Sequence, residues 1–357
     1  MVTSNQRGRL DTTRTDAVVA YLGWHGLGNI GDDAIYDAVR TQLGEATFVD
    51  IPRFPLDRIR AMATGVNRSL RRGVQVMGGG TLVGTPYFRR LATRGAKLTR
   101  GNGSYAIGVG VEDPDFVRRI NRPDDDELKR WKPLLDEFRI VSVRGPRSVE
   151  LLAGIGIDAK VSGDPALLLP TPEVDVEEGL IGLNLGFGDN DLWGKDPAAV
   201  AAEMSVAMKE FAAQGYRIVG ILMNRDDKRW TEMALDGIDA QILTPPDAAT
   251  VAYELARCST AVVSRLHAGI LAAVSGTPVV SLEYLPKCRD FALSIDDERS
   301  LIRTDKVSSA AVVERVSGAL TDEAFIRSKT QATVAQLRRQ LSDEYADVRH
   351  QLGLEAL

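Results

Sequence analysis

With 357 residues the chain is long for one hydrophobic core and comfortable for two domains of ordinary size. A net charge of −5 and a pI near 5.5 argue against a nucleic-acid binder. Two distant cysteines, Cys258 and Cys288, with no paired-cysteine spacing argue against a disulfide framework or a structural zinc site.

Residues 1–15 read as a mobile polar tail without the apolar segment of a secretory leader, and no apolar run is long enough to span a bilayer. A soluble, cytoplasmic protein is expected. Residues 17–22 then read as a strand, and a helix starts at Asp32 and stops near Gly44. Between them Gly26-Leu27-Gly28-Asn29-Ile30-Gly31 matches G-x-G-x-x-G, with Asp50 about twenty residues on, where a dinucleotide's ribose would be held. Two features oppose that reading. The glycines begin several residues beyond the strand, and Asp32 and Asp33 occupy the helix start that a pyrophosphate would need.

A second strand, residues 74–77, runs into Gly78-Gly79-Gly80-Thr81, which is either a plain tight turn or one that lets the backbone approach a ligand. Arg89, Arg90, Arg94, Lys97 and Arg100 form a basic cluster, read as a solvated face or as a contact for an anionic acceptor or membrane surface. Strands at 105–109 and 140–143, separated by an amphipathic segment over 126–138, complete an alternating and therefore parallel sheet. Arg144 falls at the carboxyl edge of the last of these strands, and Pro146 opens a helix in which Arg147 is expected to be solvated. Asp164-Pro165 leads to an acidic, proline-rich link over 170–178, taken as the domain boundary.

The second half repeats the alternation, with strands at 181–185, 217–222, 241–243, 261–263 and 278–282. The expected fold is α/β, with Rossmann-like lobes over 16–170 and 179–307 facing one cleft. The loops Gly186-Phe187-Gly188-Asp189-Asn190 and Asn224-Arg225-Asp226-Asp227 follow their strands toward the same edge. Ser264-Arg265-Leu266-His267 lies between a buried strand and a helix, where an open parallel sheet places its ligands. Free N–H groups at a helix start favour an anion, an arginine fork fits carboxylate or phosphate, and histidine moves protons near neutral pH. An arginine paired with a nearby acid and a histidine satisfied by a carbonyl would explain the residues equally well. Residues 308–357 read as a helical segment, with a long apolar-striped helix over 321–352 suited to packing or to a dimer. The histidines His25, His267 and His350 are scattered, so no obligatory metal is expected; His25 stands near the glycine loop and His350 on the terminal helix.

Together these stretches resemble the polysaccharide pyruvyl transferase family, enzymes that move pyruvate from phosphoenolpyruvate onto a sugar as a ketal. Gly28-Asn29-Ile30-Gly31-Asp32-Asp33 is similar to that family's G-N-x-G-D-E loop, and Gly78-Gly79-Gly80 to its glycine turn. Arg144 with Ser148 is similar to V-R-D-x-x-S, with Gly145 in place of the aspartate, and Asp164-Pro165 to its D-P step. Arg265-Leu266-His267-Ala268, Gly276, Pro278 and Tyr284-Leu285-Pro286-Lys287 are similar to R-L-H-A, G-x-P and Y-D-P-K, with Leu285 replacing an aspartate. The resemblance implies a GT-B-like fold, a glycine loop that faces the acceptor, and no nicotinamide.

It also implies a site. Arg144, Arg265 and Lys287, with Leu266, would hold the donor; Asn29, Gly79 and Gly80 would line the substrate cleft; His267 would donate a proton and Asp32 would act as base. The acceptor would be a sugar of a polysaccharide, glycolipid or lipid-linked glycan, reached in the cytoplasm or at the inner face of the membrane, and no cofactor beyond phosphoenolpyruvate is expected. The terminal helix allows a homo-oligomer without requiring one. Three other readings remain open: a GT-B glycosyltransferase using a nucleotide sugar, with Glu283 available for its ribose; a nicotinamide oxidoreductase resting on Asp50; and a non-catalytic anion- or partner-binding protein.

Overall fold

A computed structural model describes residues 17–119, 126–187, 192–194 and 196–355. The tail over 1–15 and Gly188-Asp189-Asn190 lie outside the described residues. The first lobe runs β1 (Val18–Leu22), α1 (Ile30–Leu43), β2 (Thr47–Asp50), α2 (Pro55–Ala63), α3 (Val66–Leu70), β3 (Val74–Gly78), β4 (Thr81–Val83), α4 (Pro86–Leu98), β5 (Ser104–Val111), α5 (Pro114–Arg119), α6 (Glu127–Leu135), β6 (Ile140–Val143), α7 (Pro146–Ala153) and β7 (Lys160–Val161). A 3-10 turn at Pro165–Leu168 leads to the second lobe, which runs β8 (Glu177–Asn184), α8 (Pro197–Ala213), β9 (Arg217–Ile221), α9 (Asp227–Leu235), β10 (Gln241–Leu243), α10 (Ala248–Ala256), β11 (Cys258–Val263), α11 (Leu266–Ser275), β12 (Val279–Glu283), α12 (Pro286–Ser294) and β13 (Leu301–Arg303). Helices α13 (Ser309–Thr321) and α14 (Glu323–Leu352) close the chain.

Each lobe is an open parallel sheet. The first has the order β2-β1-β3-β5-β6-β7, with β4 added beside β5, and the second the order β10-β9-β8-β11-β12-β13. In each sheet the chain starts at an interior strand and later crosses to its other side, so the order reverses between β1 and β3 and between β8 and β11. A crevice opens outside the carboxyl ends of the strands at such a reversal. The glycine loop and the Gly78-Gly79-Gly80 turn follow β1 and β3, and the Arg265-Leu266-His267 stretch follows β11.

Strand alternation assigns the faces. Val18, Ala20 and Leu22 pack into a core behind the first sheet, whereas Val19 and Tyr21 join a larger core that continues into the second lobe. Helix α11 is buried along almost its whole length, and its Ala-Gly-rich surface lets α1 and α10 approach closely. The terminal segment divides. Helix α13 lies against α8, β11 and β12, while α14 reaches from α11 back to α1 and β5 of the first lobe. Its buried Thr330, Val334, Leu337, Leu341, Tyr345 and Val348 repeat at three and four residues, so the apolar stripe is covered within the chain.

Candidate active site at the junction of the lobes

Asn29 caps α1: its Oδ1 accepts from the Gly31 N–H at 3.1 Å, and its Nδ2 donates to Asp32 Oδ2 at 2.7 Å. The loop is anchored further by Gly26 N–H donating to Asp33 Oδ1, and across the lobes by Ile30 N–H donating to Met223 O at 3.2 Å. Gly31 faces His267 of the opposite lobe so closely that a Cβ there would stand 2.3 Å from His267 Nδ1. The second glycine of the G-N-x-G motif therefore makes room for the histidine of R-L-H-A. The Gly79 and Gly80 turn is left-handed, and a Cβ on Gly79 would meet Ile35 of α1 at 2.9 Å.

Arg144 leaves β6 fully buried. Its Nε lies 3.5 Å from Asp164 Oδ2, and its Nη2 donates to Thr81 Oγ1 at 3.4 Å. Asp164 caps the 3-10 turn, with Oδ1 accepting from Ala166 N–H at 3.0 Å and Oδ2 directed the other way. His267 Nε2 is 3.8 Å from that same Oδ2. Arg144 Nε, Asp164 Oδ2 and His267 Nε2 are all buried and all lack a hydrogen-bond partner. Arg144 and Asp164 thus form a buried ion pair at the junction, with the His267 imidazole beside it making no hydrogen bond at Nε2.

Burial, reinforced by the charges of Arg144 and Lys287, pushes the His267 pKa well below its ordinary value and keeps the imidazole neutral. Burial raises Asp164, against the pull of Arg144. Asp32 is pushed up to about 6 by burial; Lys287 opposes the rise and Asp33 adds to it. Lys287 stands in the first turn of α12 with Nζ 5.2 Å from the centre of the Tyr284 ring. Helices α1, α11 and α12 thus bring their N-termini, with their positive dipole ends, to the residues of this cluster.

Arg265 is placed differently. It is the residue before α11, and its Nε and Nη2 both donate to Asp227 Oδ1, at 2.9 and 2.6 Å. Asp227 is fully buried and also accepts from Met223 N–H at 3.2 Å. The pairing with a nearby acid, one of the readings the sequence offered for this arginine, is present. Leu266 is buried in the core between the lobes.

Other candidates resolve by their partners. Asp50 Oδ1 lies 2.9 Å from His25 Nε2, and the His25 ring stacks on Tyr36 with centroids 4.0 Å apart. Glu283 is held by Arg289, whose Nη2 donates at 2.8 Å. Arg147, expected to be solvated, pairs with Asp113, Asp115 and Glu150. In the basic cluster, Arg89 pairs with Glu127 and Arg94 donates to Pro52 O. Among the described residues, no group of three or more His, Cys, Asp or Glu is placed to hold a metal ion.

Two carboxylates here were given no place in the site by the sequence. One is Asp164, noted there only as a D-P step. The other is Asp290 of α12, which is buried and accepts from Ser148 N–H at 3.1 Å and Ser148 Oγ at 2.6 Å. Gly145 offers no side-chain cap to α7, and a Cβ there would lie 1.9 Å from Asp290 O. The carboxylate that the motif would place at position 145 is supplied to the same helix by the other lobe.

The fold and the junction site define a GT-B-type protein. It is similar over nearly its full length to a putative UDP-N-acetylglucosamine 2-epimerase from Listeria monocytogenes (TM-score 0.60, 12% identity, 92% of this chain and 94% of that one). It is also similar to S. aureus MnaA solved with UDP (TM-score 0.62, 9% identity, 96% and 98%) and to the calicheamicin glycosyltransferase CalG4 (TM-score 0.51, 12% identity, 94% and 98%). Among curated proteins none matches the sequence. The profile of the polysaccharide pyruvyl transferase family matches residues 29–286, and the chain belongs to that family.

Proposed function

We propose that the protein transfers pyruvate from phosphoenolpyruvate to two hydroxyls of one sugar in a glycan or glycolipid precursor, forming a cyclic ketal and releasing phosphate. The observation that carries this reading is the buried group of Arg144, Asp164 and His267, whose facing atoms make no hydrogen bond, with Lys287 beside them. A small molecule bearing both carboxylate and phosphate meets the needs of such a site: two fixed cations, helix N-termini, and one imidazole able to take up a proton. Arg265 is held by Asp227 as Arg144 is by Asp164, and in this scheme it orients the start of α11.

Burial, with the charges of Arg144 and Lys287, holds His267 neutral; donor binding sets negative charge beside the imidazole as well as the two cations, and the imidazole gains a proton. His267 passes that proton to the methylene carbon as the C2 centre becomes oxocarbenium-like. One sugar hydroxyl adds to C2 while Asp32, whose pKa of about 6 lies near the working pH, takes its proton. The C2–O bond to phosphate then breaks. The second hydroxyl adds to C2, its proton leaves with the phosphate, and Asp32 returns its own to His267. Atoms and charge balance without a cofactor beyond the donor.

The test is phosphate release from phosphoenolpyruvate in the presence of a panel of sugar and glycolipid acceptors, with mass detection of the pyruvylated product. Acceptor-dependent release and a product heavier by one pyruvyl ketal are expected. Thermal stabilisation by UDP-sugars but not by phosphoenolpyruvate, with no pyruvylated product, would overturn the proposal in favour of a glycosyltransferase.

A further inference from the structure

Helix α2 carries a large apolar surface on its outer side. Leu56, Ile59 and Met62 are 69, 63 and 73% exposed, and Phe54, just before the helix, is 62% exposed. At about 100° per residue, Leu56, Ile59, Met62 and Ala63 fall within roughly 120° of arc, opposite Ala61, which alone of this helix is buried against the lobe. Arg58 and Arg60 border the stripe on its two sides, and both are exposed. Helix α3 adds exposed Arg68, and Arg71 follows it. Over residues 53–71 the only acid is Asp57, which caps α2 through the Phe54 N–H at 3.0 Å, whereas the chain as a whole carries −5.

The patch is continuous with the glycine loop. Arg53 donates to Gly23 O at 2.9 Å and its guanidinium lies 5.3 Å from the Trp24 ring centre, so the start of α2 is tied to the loop that leads to Asn29 and Asp32. On that loop Trp24 and Leu27 are exposed too, Leu27 by 66%.

We infer that the outer face of α2, with the Trp24 and Leu27 loop, docks the first lobe on an anionic lipid bilayer. A helix with an apolar stripe flanked by arginines lies in a membrane interface, its apolar side in the acyl boundary and its cations at the head groups. A second copy of this chain fits less well, because a two-fold contact would set the same arginines against one another. Docking here would hold the Asn29 and Asp32 loop toward the lipid, where a membrane-bound acceptor would enter. That consequence rests on the proposed function, but the binding itself does not.

The test is co-sedimentation of the full chain with phosphatidylcholine vesicles, with and without one-third phosphatidylglycerol. Binding only to the anionic vesicles, weakened by salt, is expected. Removing each of Arg58 and Arg60 as serine should weaken it roughly fivefold, and Ile59→Ser with Met62→Ser about tenfold or more. Because all four side chains are exposed, the variants should melt with the parent and release phosphate normally with a water-soluble acceptor. Absence of binding to anionic vesicles, or binding unchanged in the Ile59→Ser, Met62→Ser protein, overturns the inference. So does a parent that self-associates, fails to bind vesicles and becomes monomeric in that variant. A protein that binds vesicles but lacks pyruvyl transfer would separate this inference from the functional proposal.

Discussion

Replacing Gly31 by alanine displaces His267 without changing that residue. Position 31 lies in the first turn of α1 at an ordinary helical φ, so the backbone accepts alanine, which favours the helix by up to about 1 kcal/mol. The new Cβ would stand 2.3 Å from His267 Nδ1 and 2.7 Å from its Cβ, where ordinary contact begins at 3.4 Å. The imidazole, and with it the start of α11, must retreat by about 1 Å. Overpacking of this kind costs about 1–3 kcal/mol, partly offset by the helix preference, so Tm should fall by no more than a few degrees. A misplacement of about 1 Å costs on the order of a hundredfold in rate. Circular-dichroism melting and steady-state phosphate release, run on the same preparations, separate the two effects. A folded Gly31→Ala protein turning over within a fewfold of the parent would refute the claim that this contact between the lobes sets the reactive geometry.

Asp32→Asn should stabilise the protein while abolishing turnover. Its carboxyl is held up from 3.8 to about 6, so the native state binds that proton more tightly than the unfolded chain and stability falls as pH rises through this window. At about 1.4 kcal/mol per pH unit the cost above pH 6 is on the order of 3 kcal/mol; urea midpoints of parent and variant should diverge between pH 4 and 6, and a constant gap would contradict the assignment. Donor binding near pH 7 should take up as much as one proton at His267, read by titration calorimetry in two buffers of different ionisation enthalpy; uptake that persists in His267→Ala places the proton elsewhere. Asp290→Ala leaves the two Ser148 donors unpaired but relieves a buried carboxyl, for a net loss of about 1–3 kcal/mol. Its KM for phosphoenolpyruvate should rise as the lobes loosen, and a variant with parental Tm and KM would show that this bond does not set their alignment.

The strand-to-helix turn at 264–267 was legible because a buried strand and an apolar helix flank it, and the sheet order puts that turn at a reversal of strand order. Two Rossmann-like lobes were legible for the same reason, since alternation is a local pattern. Partners were not. Gly31 reads as one glycine of a dinucleotide fingerprint, and its reason for being glycine is a histidine from the other lobe. Arg265 could be read as a ligand fork or a paired side chain, and only the packing of α9 against β8 supplies Asp227. Asp164 stood out only as a D-P step, because nothing local tells that one oxygen caps a turn while the other faces His267. The spacing of Leu56, Ile59 and Met62 says that they share a face, but not whether anything covers it.

The long terminal helix has a mechanical consequence. The chain passes from one lobe to the other in the segment before β8 and returns along α14, where Glu344 accepts from Ser142 Oγ at 2.6 Å and Arg349 Nη1 donates to Gln42 O at 3.1 Å. Two crossings restrain relative movement more than one does: they leave a swing about the line joining them and resist sliding or twisting. The strut formed by α14 thereby keeps Gly31 of one lobe seated against His267 of the other.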